Sequence, residues 1–173
     1  MSISNEIDTN QRWIIHCCDQ YLLRCGKYNP FVHEGDAITY NSYFQIQSKM
    51  TKLCVSTANI WKRENNQSVY LQQCQLSLLD VSDSMQANKI QRDKFLFNDG
   101  DENGGVPIET NHLTQFINLL TPLCLGYDFS QAQKLLKGYN CKGEKEKNQK
   151  LTQLFKFIPF LQTQITNVAH TDF

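Results

Sequence analysis

Residues 37–79 decide the predicted fold, and they read AITYNSYFQIQSKMTKLCVSTANIWKRENNQSVYLQQCQLSLL. Apolar side chains recur here at alternating steps of three and four, which places them along one face of a helix. A polar break at residues 62–67 divides the stretch. The spacing therefore predicts two long helices joined by a short polar turn. The apolar positions are Tyr43, Ile46, Met50, Leu53, Ile60, Leu71, Cys74, Leu78 and Val81.

A strand interpretation of the second half of this stretch is the alternative. It makes strands of residues 69–71 and 76–81, which are rich in Val, Tyr and Leu. A half-buried strand should alternate apolar and polar residues with a period of two. The pairs Gln72-Gln73 and Leu78-Leu79 break that alternation, so the helical interpretation is favoured.

Similar apolar stripes occur on both sides of residues 37–79. Helices with one apolar stripe and short connections are typical of a bundle or of a helical solenoid. The chain is therefore predicted to be all-α, as a helical bundle or an armadillo-like α-solenoid segment of about six helices. The predicted helices span residues 8–25, 37–61, 68–90, 109–124, 128–139 and 151–168.

The sharpest change in composition lies at residues 98–108, which are acidic and rich in glycine. Such a segment is typical of a turn or linker. It separates an N-terminal helical part, residues 1–97, from a C-terminal helical part, residues 109–173. A length of 173 residues suits one domain, so the two parts are expected to form one continuous helical domain.

The same acidic segment resembles a calcium-binding loop. Oxygen-bearing side chains alternate from residue 99, and a glycine and then an apolar residue follow at EF-hand spacing. The twelfth position should be a bidentate glutamate, but it is Thr110, and Pro107 lies where a helix should begin. An ordinary solvated turn is therefore favoured, and a calcium site is the alternative. The candidate metal ligands are Asp99, Asp101, Asn103 and Glu109.

Charge and motifs exclude several classes of function. The 17 basic and 17 acidic residues give a net charge of zero, which argues against a dedicated nucleic-acid binder. No run of about 18 apolar residues could span a bilayer. Gly104-Gly105 lacks the Lys and Ser/Thr of a phosphate-binding loop. The sequence therefore predicts a protein that is not an enzyme and that carries no cofactor apart from the candidate calcium.

Seven cysteines are expected to be reduced thiols packed as small apolar groups. Residues 1–6 lack both a basic segment and an apolar core, so no signal peptide is expected. The predicted location is therefore the cytoplasm. A zinc site at His16, Cys17, Cys18 and Cys25, or a catalytic pair of His16 with Cys17, are the alternatives. Neighbouring residues on a helix diverge by about 100°, which suits neither.

Two Leu-Cys motifs carry a resemblance to a known family. The first is Leu53-Cys54-Val55-Ser56 with Asn66-Gln67 downstream, and the second is the apolar run 116–120 followed by Leu123-Cys124 and Leu135-Leu136. Residues 50–55 and 120–125 also resemble each other. These segments resemble the armadillo-like helical homology regions of inositol trisphosphate and ryanodine receptors. The resemblance implies a fragment or relative of the cytosolic solenoid of an intracellular calcium-release channel.

The predicted function is a non-catalytic helical scaffold of that kind. A small calcium-responsive EF-hand-like protein using residues 99–110, or a helical adaptor unrelated to channels, are the alternatives. A protein partner or neighbouring helical repeats are expected to pack on the exposed face of the 151–168 helix, without nucleic acid or a membrane span. The cytoplasmic location includes the cytosolic face of an intracellular membrane, reached through a larger protein.

Overall fold

The computed structural model describes residues 12–33, 35–57, 67–75, 84–98, 107–108, 113–128, 135–143, 145 and 151–156. These residues form eight strands, one short α-helix and single 3-10 turns. No helix in the described ranges is long and apolar enough to cross a membrane. The elements are β1 (Trp13–Cys18), β2 (Tyr43–Ser48), β3 (Cys54–Thr57), β4 (Gln67–Gln72), α1 (Ser84–Gln91), β5 (Phe95–Asn98), β6 (Gln115–Asn118), β7 (Cys124–Asp128) and β8 (Leu135–Tyr139), with 3-10 turns at Gly26–Tyr28 and Leu151–Gln153.

Seven of the strands form a closed antiparallel barrel. Their order is β2-β3-β4-β8-β7-β6-β5, and the ring closes because β2 pairs with both β3 and β5. The end of β2 pairs with β3 through Gln47 and Cys54, whereas its beginning pairs with β5 through Tyr43 and Leu96. Strand β1 lies outside the ring and pairs with β2 along its whole length.

The all-α prediction is wrong, and residues 37–79 explain why. The apparent helical stripe joins residues of strands to residues of turns: Ile46 is buried in β2, whereas Met50 lies in a turn with its side chain 65% exposed. All four residues of β3 are buried, so the alternation that marks a one-sided strand is missing. The strand alternative is confirmed for residues 69–71, which lie in β4, whereas residues 76–81 are outside the described part.

The other predicted helices fail in the same way. Residues 8–25 contain β1, residues 109–124 contain β6, and residues 128–139 contain β8. In the 68–90 segment the described residues begin in β4 and end in the helix α1, and residues 76–83 lie outside the described part. In the 151–168 segment a 3-10 turn leads to Phe155, which pairs with Thr114, and residues 157–173 lie outside the described part. The resemblance to an armadillo-like solenoid, the helical scaffold and the helical adaptor are therefore all contradicted.

Strands from both sides of the predicted linker lie in one sheet. Asn98 ends β5 and pairs with Gln115 of β6, and Pro107 forms a bridge with Thr39. Residues 99–106 are outside the described part, so the boundaries proposed at 98–108 stay a prediction.

Phenylalanine rings fill the centre of the barrel. Phe44 and Phe97 stack with ring centroids 3.5 Å apart, and Phe116 meets both edge-on. Phe95 is fully buried beside them. Each such ring contributes about 2 kcal/mol or more by leaving water, so this cluster supplies much of the driving force for closing the barrel.

The barrel contains two copies of one strand plan, unit one (residues 43–98) and unit two (residues 113–156). In unit one, β2 pairs with β3 through Gln47 and Cys54, and in unit two β6 pairs with β7 through Ile117 and Cys124. The residue numbers of the second pair are each 70 higher than those of the first pair. The turns match too: the Ser48 N–H donates to the Leu53 carbonyl at 2.8 Å, as the Asn118 N–H does to the Leu123 carbonyl. Residues 50–55 and 120–125 thus resemble each other because they form equivalent turns and strands.

A buried polar cluster fixes unit one, and we call Gln45, Gln75 and Asp93 the first polar cluster. Gln45 Nε2 donates to Asp93 Oδ2 at 2.9 Å and to the Gln75 carbonyl at 3.1 Å. The Gln75 N–H donates to the same Asp93 oxygen at 2.8 Å. These bonds join β2, the segment after β4 and the segment before β5, which are the first strand, the end of the β3–β4 hairpin and the start of the last strand of unit one.

Unit two has an equivalent second polar cluster of Gln115, Lys142 and Gln153. Gln115 Nε2 donates to Gln153 Oε1 at 3.1 Å and to the Lys142 carbonyl at 3.0 Å. The Lys142 N–H donates to Gln153 Oε1 at 2.9 Å. Gln153 therefore accepts in unit two the two hydrogen bonds that Asp93 accepts in unit one, through a neutral amide oxygen instead of a carboxylate oxygen.

The charge of Asp93 requires a partner that unit two does not need. Lys94 is fully buried, and its ammonium contacts the Asp93 carboxylate and donates to the Ile90 carbonyl at 3.1 Å. Burial raises the pKa of Asp93 and lowers the pKa of Lys94, and their mutual attraction opposes both shifts. At the equivalent place in unit two stands the uncharged Leu154.

Six of the seven cysteines form disulfides, so the prediction of reduced thiols is wrong. Cys54–Cys74 and Cys124–Cys141 occupy equivalent places in units one and two, since each joins the second strand to the residues after the third. Cys18–Cys25 closes the loop after β1, and Cys17 is the free cysteine. Closing a loop of about 20 residues stabilises a fold by roughly 3 kcal/mol.

Replacing Lys94 tests the equivalence of the two polar clusters. We expect Lys94→Leu to lower the free energy of unfolding by about 3 kcal/mol, because it leaves the Asp93 carboxylate buried without a counter-charge. The double variant Asp93→Gln/Lys94→Leu copies Gln153-Leu154, and we expect it to recover more than half of that loss. Denaturant titration measures both values, and a double variant less stable than Lys94→Leu would contradict the equivalence.

Candidate functional site

The EF-hand interpretation of the acidic segment is wrong. An EF-hand places a helix on each side of its loop. Here the preceding residues form β5, which ends at Asn98, and Pro107, within the proposed loop, forms a bridge with Thr39. The candidate ligands Asp99, Asp101, Asn103 and Glu109, with Thr110, lie outside the described part of the chain.

The structure also separates the residues of the predicted Cys-His sites. His16 and Cys17 are consecutive in β1, so their side chains point to opposite faces of the sheet. Cys18 and Cys25 are bonded to each other, and His16 Nε2 lies 2.7 Å from Gln47 Oε1. Burial raises the pKa of the Cys17 thiol, which lowers its reactivity. Among the described residues, no group of three His, Cys, Asp or Glu side chains could hold a metal ion.

The loop between β1 and β2 instead presents a set of exposed aromatic and basic side chains. Tyr21 is 68% exposed, Phe31 64% and Tyr28 60%. Large apolar side chains are normally scattered on a surface, so a cluster of rings within eleven residues indicates a binding surface. We call Tyr21, Arg24, Lys27, Tyr28 and Phe31 the aromatic surface.

The buried carboxylate of Asp19 holds this loop in shape. Its Oδ1 accepts the N–H of Tyr21 at 2.9 Å and of Leu22 at 2.7 Å, and its Oδ2 accepts both the backbone N–H and the Nε–H of Arg24 at 2.9 Å. Burial alone would raise the pKa of Asp19, but the hydrogen bonds from Leu22, Arg24 and Tyr21 outweigh it and leave the pKa lowered. One carboxylate thus accepts hydrogen bonds from three backbone N–H groups and one guanidinium.

Two further features hold the backbone of this loop close to β1. Leu23 is buried with a positive φ of 54°, next to the Cys18–Cys25 disulfide. Gly26 has a φ of 59°, and a Cβ placed there would lie 2.7 Å from His16 Nδ1. Only glycine accommodates both the left-handed backbone and this close approach. The aromatic surface is therefore built on a rigid support.

Asn29 ties the far end of the loop to β1. Its Nδ2 donates to the Cys17 carbonyl at 3.2 Å, and its Oδ1 accepts the Phe31 N–H at 3.0 Å. Asn29 is itself buried. Phe31 is consequently positioned by the strand, although its ring lies in solvent.

Two groups of rings and cations make up the aromatic surface. The Tyr21 and Phe31 rings are 6.3 Å apart, and Arg24 Cζ lies 5.9 Å from the centre of the Phe31 ring. Lys27 Nζ lies 5.1 Å from the Tyr28 ring. Arg24 forms an ion pair with Asp19, whereas the Lys27 ammonium group lies beside an aromatic face. The arrangement offers flat apolar area with a positive charge at its edge.

Sequence reasoning missed this surface because it treated residues 8–25 as a helix. Signals for it were present. Cys18 and Cys25 enclose six residues, Asp19 directly follows the strand, and Gly26 and Pro30 mark turns. Tyr28 and Phe31 follow the end of the predicted helix and lie beside these turn residues.

Comparison of the chain with protein-family models and with curated proteins finds no match.

Replacing Asp19 tests what orders the aromatic surface. We expect Asp19→Asn to lower the free energy of unfolding by about 2 kcal/mol, because the amide turns a donor towards the Arg24 N–H groups. The matched control, Asp36→Asn, changes an exposed carboxylate that accepts one backbone bond.

The effect of Asp19 should depend on pH in one direction. A carboxyl whose folded pKa is lowered contributes stability above its unfolded pKa of about 4, and that contribution disappears as the pH falls through the folded pKa. The difference between the wild type and Asp19→Asn should therefore be constant from pH 7 to pH 5 and shrink below pH 4. Denaturant titration at each pH measures it, and a difference that grows in acid would refute this role.

Proposed function

We propose that this protein is a non-catalytic, disulfide-bonded β-barrel module that binds a protein partner through its aromatic surface. The observation that carries the proposal is the exposure of Tyr21, Tyr28 and Phe31. Hydrogen bonds to the side chains of Asp19 and Asn29 hold the backbone at Tyr21 and Phe31. Aromatic and arginine side chains dominate binding energy at protein interfaces. A rigid loop loses little conformational entropy when a partner binds.

The chemistry of the partner follows from the charges beside the rings. Lys27 and Arg24 each lie against an aromatic face, and Arg24 also pairs with the buried Asp19 carboxylate. A partner segment with apolar side chains flanked by Asp or Glu would satisfy both the rings and the cations. We therefore propose an acidic, apolar segment of another protein as the ligand, with no cofactor.

The disulfides support an oxidising location for this module. Disulfides persist in secreted proteins and in oxidising compartments, and they are rare in the cytosol. Two of the three join equivalent places in the two units, and in each the first cysteine, Cys54 or Cys124, is fully buried. We propose an extracellular or luminal location in place of the cytoplasm expected from the sequence.

Selection of peptides from a displayed random library tests the proposed ligand. We expect the oxidised protein to select peptides in which Phe, Tyr, Trp or Leu is flanked by Asp or Glu. The variant Tyr21→Ser/Phe31→Ser should bind these peptides at least tenfold more weakly. The matched control Met50→Ser/Leu113→Ser removes two exposed apolar side chains elsewhere and should bind as the wild type does.

The salt dependence of binding distinguishes the contribution of the charged side chains to peptide affinity from that of the aromatic rings. Affinity for the selected peptides should fall several-fold between 50 mM and 500 mM salt, because Lys27 and Arg24 are screened. Lys27→Gln should remove part of this dependence. A selection that yields no common pattern, or peptides that bind the Tyr21→Ser/Phe31→Ser variant as tightly as the wild type, would overturn the proposal.

A further inference from the structure

We propose that His16 is a positioning residue that makes the aromatic surface sensitive to pH, because a second proton on its ring displaces the turn Gly26–Tyr28. That turn carries Lys27 and Tyr28, which belong to the aromatic surface. The inference rests on the proposed function, since it names the regulation of the same binding surface. It starts from a contact between a ring nitrogen and a glycine.

A chain of two hydrogen bonds fixes which nitrogen of His16 carries the hydrogen. The side-chain amide of Gln47 donates through Nε2 to the Lys52 carbonyl at 2.9 Å. A carbonyl oxygen can only accept, so the NH2 group of Gln47 lies on that side and its Oε1 faces His16. His16 Nε2 lies 2.7 Å from Gln47 Oε1, so Nε2 is the nitrogen that carries the hydrogen of the neutral ring. Nδ1 therefore presents a lone pair.

Gly26 lies directly against this unprotonated nitrogen. A Cβ placed at Gly26 would be 2.7 Å from His16 Nδ1, compared with 3.3 and 3.5 Å from the ring carbons Cγ and Cε1 that flank it. Glycine has a hydrogen in the direction of that Cβ, so a C–H bond of Gly26 points towards Nδ1. The neutral ring fits this contact, whereas a proton on Nδ1 would occupy the same space.

The charges around His16 act in the same direction as this steric conflict. Strand β2 and the turn Gly26–Tyr28 contact β1, and Gln47 links His16 to the turn at residues 49–52. These three segments contain no acidic residue, and their charged side chains are Lys27, Lys49 and Lys52.

The described carboxylates of the loop between β1 and β2 have other partners. Asp19 pairs with Arg24, and Asp36 accepts the backbone N–H of His33. A proton on His16 thus gains no counter-charge from the described groups that face it. It adds a positive charge beside Gly26, the residue that precedes Lys27.

The turn Gly26–Tyr28 transmits a displacement of Gly26 to the aromatic surface. The Tyr28 N–H donates to the Cys25 carbonyl at 3.2 Å, and the Asn29 N–H donates to the Gly26 carbonyl at 3.0 Å. These bonds close the turn on itself, so Gly26 does not move without Lys27 and Tyr28. The neutral form of His16 is therefore the form that supports the ordered surface.

The pH range of the effect follows from the groups involved. Histidine is the side chain whose ordinary titration falls between about pH 5 and pH 8. The Asp and Glu side chains of an acidic ligand titrate near pH 4, so they keep most of their charge at about pH 5.5. A change in affinity between about pH 7.5 and pH 5.5 thus reports a histidine of the protein, and we expect the affinity to fall in acid.

Binding of the selected acidic peptides at pH 7.5 and pH 5.5 tests the inference, with peptides that lack histidine and with constant ionic strength. We expect the wild type to bind at least threefold more weakly at pH 5.5. His16→Gln keeps an amide donor for Gln47 but takes up no proton, so its affinity should be the same at both pH values. The matched control His33→Gln removes an exposed histidine of the same loop and should retain the pH dependence of the wild type.

Nuclear magnetic resonance of the oxidised protein without peptide distinguishes this inference from the proposed function. The Overhauser contact between a Gly26 α-hydrogen and the His16 ring hydrogen on Cε1 should weaken from pH 7.5 to pH 5.5, as the amide signals of Lys27 and Tyr28 move. If these changes occur and no acidic peptide binds, the pH response of the turn is supported and the proposed function is refuted. An unchanged Overhauser contact would overturn the role of His16. Peptide affinity that stays constant or rises in acid, or that falls equally in His16→Gln, would also overturn it.

Discussion

The rest of the fold depends on one repeated hydrogen bond, from a buried glutamine amide on a first strand to an acceptor just before a last strand. Gln45 reaches Asp93 across 48 residues, and Gln115 reaches Gln153 across 38. Each donor is buried, so leaving it unpaired would cost about 1–3 kcal/mol. This penalty specifies which strands close each unit, a choice that non-directional packing of Phe44, Phe97 and Phe116 does not make.

Disulfides and polar clusters act at the same place in each unit. Cys74 and Cys141 immediately precede Gln75 and Lys142, whose backbone groups take part in the clusters. The covalent bond therefore holds the hairpin end where the buried amide needs it. The core of the barrel does not include Tyr21 or Phe31. The long loop between β1 and β2 can therefore expose these rings without loss of core packing.

Part of this structure can be predicted from the sequence, and the reasons for the rest are physical. The equivalence of residues 50–55 and 120–125 is visible as a shared Leu-Cys motif, and Val69-Tyr70-Leu71 has strand character. The three-and-four spacing of apolar residues predicts a helix wrongly in this stretch. Ile46 lies in a strand, Met50 in a turn and Leu53 just before the next strand, yet their spacing is that of a helix. Full burial of β3 removes the alternation of a one-sided strand. The aromatic surface depends on the Cys18–Cys25 disulfide and on the hydrogen bonds of Asp19. Neither is expected when the thiols are predicted to be reduced and residues 8–25 are predicted to form a helix.

The repetition of one disulfide-bonded unit is tested most directly by mapping the disulfides of the unreduced protein, with free thiols alkylated before digestion and the peptides identified by mass spectrometry. The account predicts the linked pairs Cys18–Cys25, Cys54–Cys74 and Cys124–Cys141, with Cys17 alkylated. A bond between the units, such as Cys54 with Cys124 or Cys141, would contradict it, as would seven alkylated cysteines.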